Sequence, residues 1–274
     1  KLKITEQHFL GPLNLDAHFN DDEINVSNLK VSLSGGQFLG NVYIKGRQTP
    51  TPQLHISGKG EGFSAQGLAA LTGSQFRMSG GSTDIGMYVT GSGKSIHEFV
   101  STLNGQTQVT IGSGQLAPSK LNQSGDLLMS LIKVVDPRRN YSQTNLTCLV
   151  AYLPVRNGVI TVQDSIGFET DQLYMLMAGV INLGRETLVL DVKARDPSGL
   201  TTGISIASMA QIQGSLSNPQ VGINKAGVAK QGLNIGLGVL TAGISILAEN
   251  ANSLTEKTKP CQKATRSWAQ VVGN

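Results

Sequence analysis

The chain has 274 residues, a formal net charge of +4 and a pI near 9.1, with 15% of residues charged and 5% aromatic. That length allows one large domain or two small ones. Scattered basic residues and few stacking aromatics exclude an RNA- or DNA-binding stripe; an anionic membrane surface or plain solubility accounts for the positive excess. Low charge, 33 glycines and many short alternating runs exclude a helical or doubly wound enzyme and predict a mainly β protein. The first residue is Lys1, with no leader or anchor, so a targeting signal is expected outside these residues.

From the N-terminus, Leu13, Leu15, Ala17 and Phe19 alternate with polar neighbours and predict a strand. Asn20-Asp21-Asp22 marks a turn. Its carboxylates and Glu23 read as a solvated turn rather than acid or metal chemistry, because no second cluster supports them. Val26 to Leu33 and Phe38 to Ile44 give two more strands around Ser34-Gly35-Gly36, so the chain opens as a meander. Leu54 and Ile56 end a strand, and Phe63, Leu68 and Leu71 predict a short helix near 63–72 that stops at Gly73.

The same pattern returns more clearly from Thr83 to Ser113. Ile85, Met87 and Val89 alternate along a strand, and Ser95 stands three before Glu98 as the N-cap and N3 pair of a helix near 95–104. Ile96, Phe99, Val100 and Leu103 line one face of that helix, Gly105 is expected to supply its left-handed stop, and Val109 and Ile111 resume the alternation. Two such copies suggest an internally repeated sheet. Gly93-Lys94-Ser95 mimics a phosphate loop, but Tyr88 stands where its first glycine is required.

Leu121, Leu127, Leu128, Leu131, Ile132, Val134 and Val135 predict a longer amphipathic helix over 119–135, ending before Asp136-Pro137. Arg138 and Arg139 follow on a loop, solvated or touching a lipid phosphate. Strands return from Leu146, with Asn157-Gly158 as a hairpin turn, and continue through Met175, Met177 and Leu190 to Val221 and Ile223. The uncharged run QGLNIGLGVLTAGISILA, 231–248, barely reaches membrane-spanning length. An apolar helix over 225–250 that packs on or plugs a groove is expected, with membrane contact second, followed by a tail over 251–274 that is polar and mobile apart from Cys261 and Trp268.

His8, His18, His55 and His97 are scattered, so no metal is expected. No nucleophile elbow or dinucleotide fingerprint is present, and neither catalytic residues nor cofactors are expected. Cys148 and Cys261 are the only cysteines. In an oxidising compartment they are expected to form a disulfide that ties the terminal segment to the hairpin sheet; the alternative is two unrelated buried thiols.

Three stretches, in order, resemble the C-terminal part of the AsmA family of bacterial envelope proteins. They are GSGKSIHEFVSTLNG (91–105), TCLVAYLPVRNGV (147–159) followed by GVINL (179–183), and GSLSNP (214–219) with the apolar run and Pro260-Cys261. The resemblance runs from about Leu54 to Cys261. It implies an elongated, curved antiparallel sheet with an apolar groove, in a periplasmic protein tethered to the inner membrane of a Gram-negative bacterium. It also implies phospholipid handling between membranes, with phospholipid, membrane and an envelope protein as partners and no nucleic acid. Met87, Val89, Phe99, Val109, Met175 and Met177 are the expected groove residues. A non-enzymatic assembly scaffold is the competing reading. A carbohydrate-active β-helix enzyme would need a carboxylate pair that the sequence lacks.

Overall fold

Runs in which every second residue is apolar become strands throughout the chain. The computed structural model describes residues 3–5, 8–9, 11–71, 77–116, 144–195, 197, 210–223 and 259–273. The short β1 (Lys3–Thr5) and β2 (His8–Phe9) pair only with each other. Next come β3 (Leu13–Phe19), β4 (Glu23–Leu33), β5 (Gly36–Lys45) and β6 (Gln53–Ser64), then helix α1 (Ala65–Leu71) and β7 (Met78–Gly80). A second unit follows with β8 (Ser82–Ser92), α2 (Ile96–Ser101), β9 (Asn104–Ile111) and β10 (Gly114–Leu116). The later strands are β11 (Thr144–Arg156), β12 (Val159–Thr170), β13 (Tyr174–Asn182), β14 (Thr187–Arg195), β15 (Ala210–Ser215) and β16 (Asn218–Ile223). Two short helices, α3 (Pro260–Ala264) and α4 (Trp268–Val272), complete the described chain.

Strands β3 to β16 form one open antiparallel sheet of fourteen strands. Its main path runs β3-β4-β5-β6-β8-β9-β11-β12-β13-β14-β15-β16, with β7 and β10 paired to each other and β10 also to β11. Neighbours in space are therefore nearly always neighbours in sequence, as hairpin connections require. At the β11–β12 hairpin, Asn157 and Gly158 both take positive φ, 46° and 69°, matching the right-handed twist of the flanking strands. The mainly β, antiparallel reading holds.

The helices are shorter than the sequence suggests. Phe63 belongs to β6, and α1 starts at Ala65. For α2, Ser95 is the N-cap and its Oγ accepts from the Glu98 N–H at 3.1 Å. The Glu98 carboxylate reaches back to the Lys94 N–H at 2.7 Å. This helix ends at Thr102, so Gly105 is not its stop. Gly105 lies inside β9 at φ 127°, where a Cβ would stand 2.1 Å from the Tyr88 carbonyl oxygen. Close strand approach, rather than helix termination, demands glycine there.

The expected helices over 119–135 and 225–250, and Arg138 and Arg139, lie outside the described residues. The tail is held more extensively than expected: beyond Cys261 and Trp268, residues 259–273 form two helices on the sheet, with Ala264 and Val271 fully buried. Polar composition misleads here because the segment needs only a few apolar side chains to seat two five-residue helices.

Candidate functional site

Strand register sorts the side chains into two unlike faces. One line of cross-strand partners runs Leu13, Val31, Phe38, Gly60, Ile85 and Val109, from the β3 edge to the middle of the sheet. It continues through Ala151, Ile166, Met177, Val192, Ala210 and Ile223 to the β16 edge. A second line on the same face begins Ala17, Val26, Val42, Ile56 and Val89. From Gly105 it passes through Val155, Ile160, Ile181 and Leu188 to Gly214 and Pro219. Neither line contains a polar side chain. Antiparallel strands alternate sides at every residue, so one-residue errors of register would break both lines; bulges such as that between Val26 and Leu29 restore the phase.

All six expected groove residues belong to this face. Val109 and Met177 lie on the first line and Val89 on the second, while Met87 shares the β8 face with Val89. Met175 pairs with Phe168, two residues along from Met177. Phe99 comes from α2 and its ring covers Gly91, where a Cβ would stand 2.8 Å from it. Burial grades across the face. Met175 and Val192 are fully enclosed, Met87, Val109 and Met177 are half-buried, and Phe19 at the β3 edge is 67% exposed. Leu13 and Leu15 on the same edge strand are also exposed.

The opposite face is polar and carries the terminal segment as a clasp. The Cys148–Cys261 disulfide, across a sequence separation of 113, fixes α3 to β11. Cys261 N–H donates to Glu169 Oε1 at 2.8 Å. Gln108 grips the Arg266 backbone at both ends: Nε2 donates to the carbonyl at 3.0 Å, and Oε1 accepts from the N–H at 2.7 Å. Gln106, itself held by the Tyr152 hydroxyl at 2.8 Å, donates to the carbonyls of Gln270 and Val271. Lys59 lies 4.7 Å from the centre of the Trp268 ring.

Two glycines make the seat. A Cβ on Gly86 would meet the Trp268 ring at 2.8 Å, and one on Gly167 would meet the Pro260 carbonyl oxygen at 2.3 Å. The clasp thereby joins β12 and β11, at one end, to β9, β8 and β6 at the other.

Asp164 anchors the clasp electrostatically. It takes φ 52° within the β12 bulge, and its carboxylate accepts from Lys263 Nζ at 2.8 Å and Lys193 Nζ at 3.2 Å. Burial pushes the Asp164 carboxyl up, but the hydrogen bonds and charges of Lys263 and Lys193 together outweigh it and hold the group below the usual carboxylate value. On the sheet's other half, the Tyr43 hydroxyl is raised, first by its hydrogen bond to Glu23 and then by desolvation.

Cys148, Cys261 and Glu169 bring two sulfurs and a carboxylate oxygen within 4.8 Å of one another. With the sulfurs joined covalently, they offer no thiolate to a metal. Sequence reasoning found the cysteines but not Gln106, Gln108, Asp164, Glu169, Gly86 or Gly167. The one signal these carry is polar-face parity, which dozens of other residues share. No protein-family model, characterised protein or solved structure matches the chain.

Proposed function

We propose that the apolar face binds phospholipid acyl chains and that the protein assists phospholipid transport between the inner and outer membranes of a Gram-negative envelope, without enzymatic activity. The observation that carries this reading is the pair of uninterrupted apolar lines from one sheet edge to the other. Twelve strands at a spacing of about 4.8 Å give a path of roughly 53 Å. A membrane leaflet offers an acyl chain about half of the ~30 Å hydrocarbon thickness, so the path exceeds one chain length several times over.

Each buried methylene is worth about 0.8 kcal/mol. Because successive strands present similar aliphatic groups, a chain that advances by one strand exchanges like contacts for like and meets no polar step. The Cys148–Cys261 disulfide supports an oxidising compartment, in keeping with the periplasm. No helix among the described residues is long and apolar enough to cross a membrane; in this reading, tethering to the inner membrane belongs to a segment beyond them.

A scaffold for envelope assembly draws on a different observation, the full enclosure of Met175 and Val192, which resembles a filled core. Lipid extraction and native mass spectrometry of the purified protein, with a buffer-exposed control, separate the two. Reproducible bound phospholipid that falls in Met87→Asp and Val109→Asp variants supports the lipid reading. A folded, lipid-free protein, or variants with unchanged lipid content, sinks it in favour of the scaffold.

A further inference from the structure

Glu169 has no evident reason to be where it is. The residue is 5% exposed, and among the described residues its carboxylate makes a single hydrogen bond, to the Cys261 N–H, and no ion pair. A buried charge held by one donor is costly. The amide it accepts from would be equally well served by an uncharged glutamine. What the charge itself does must therefore lie in its neighbours, and among these are the two sulfurs, within 4.8 Å.

We propose that Glu169 guards the Cys148–Cys261 disulfide against thiol–disulfide exchange, so that the clasp is a lock that anionic thiols open slowly. In exchange, a thiolate attacks one sulfur, the S–S bond breaks, and the other sulfur departs as a thiolate. A second thiolate then resolves the mixed disulfide, leaving two protein thiols and the oxidised reductant. Negative charge is spread over three sulfurs in the transition state of the first step. The Glu169 carboxylate repels both the incoming thiolate and the departing one.

Two cations of the clasp are engaged elsewhere. Lys263 is paired with Asp164, and Arg266 donates to the carbonyls of Lys263 and Thr265 while its guanidinium lies 5.2 Å from the Tyr152 ring. Cys148 is the more exposed of the two residues, Cys261 being 8% exposed, so attack is expected at Cys148, and Cys261, whose N–H binds Glu169, is the leaving group.

The test is the rate at which the oxidised full chain is reduced by three thiols of graded charge: cysteamine, 2-mercaptoethanol and 2-mercaptoethanesulfonate. Rates are normalised to free thiolate and read as the mass gained on alkylation. In the wild type, cysteamine is expected to react about tenfold or more faster than the sulfonate. Glu169→Gln keeps the acceptor for the Cys261 N–H; it should speed the sulfonate about tenfold and flatten the charge order, whereas Glu169→Asp should keep that order.

Identical rates and order in wild type and Glu169→Gln would overturn the proposal, as would Glu169→Asp behaving like Glu169→Gln. Trp268, the only tryptophan, reports clasp docking by its emission. If Trp268 emission in oxidised Glu169→Gln shifts from that of the oxidised wild type toward that of the denatured chain, its speed reflects a loosened clasp and the guard is refuted.

Discussion

Removing the disulfide tests whether the clasp belongs to the folding unit. In the double variant Cys148→Ala with Cys261→Ala, the unfolded chain is released from a loop closed over a sequence separation of 113. In the chain-entropy account that release is worth about 5 kcal/mol at 25 °C. Over 274 residues, with an unfolding entropy of about 2.1 cal/mol/K per residue, it lowers Tm by about 8 °C.

The remaining contacts of Gln106, Gln108, Asp164 and Trp268 keep the clasp seated in the folded variant, so the loss reports mainly on the unfolded state. Guanidinium unfolding of the oxidised wild type and the variant measures it, alongside alkylation of the unreduced wild type to verify the bond. A stability change under about 1 kcal/mol with the wild-type bond intact would refute the entropic reasoning. Two alkylations without prior reduction would refute the disulfide itself.

Further predictions concern the seat, the anchor and the face. Gly167→Ala places a methyl against the Pro260 carbonyl, backbone that cannot rotate away, and should cost about 1–3 kcal/mol in the same denaturant assay. In a clasp-deleted chain ending before Lys259, the same substitution should cost little. Asp164→Asn leaves Lys193 and Lys263 without their carboxylate and should cost about 1–3 kcal/mol at neutral pH.

The sign of its pH dependence follows from the lowered pKa of Asp164. The carboxylate's contribution is present above the unfolded value of about 3.9 and is lost as pH falls through the lower folded value. The gap between wild type and Asp164→Asn should therefore close only on the acid side of about pH 4, as read from urea midpoints across pH. Met175→Ala, at a fully enclosed position, should cost about 2–5 kcal/mol, and more than Met87→Ala at a half-buried one.

Much of the fold was legible because a half-buried strand writes its period directly into the chain. Leu13 to Phe19, Ile85 to Val89 and Met175 to Met177 alternate, and each is a strand. Asn157-Gly158 announced its hairpin through the positive φ that both residues tolerate. Ser95 and Glu98 fixed the start of α2 through a local bond of three residues' separation. Gly105 misled because glycine serves both a helix stop and a close strand contact, and sequence spacing alone does not separate these uses.

The candidate site divides the same way. Parity along each strand was readable, and it put Met87 with Val89 and Met175 with Met177 without any structure. That separate strands align these positions into unbroken lines depends on register and on bulges such as that between Val26 and Leu29, which the hydrogen bonding of neighbouring strands decides. The clasp was beyond local reasoning altogether. Gln108 meets Arg266 across a sequence separation of 158, and Glu169 meets Cys261 across 92. By itself the sequence determined which residues face together, because that period is a property of the local backbone. Only the tertiary structure decided what the polar face would hold, because a glutamine, a glycine or a buried carboxylate acquires its role from whatever distant chain is brought against it.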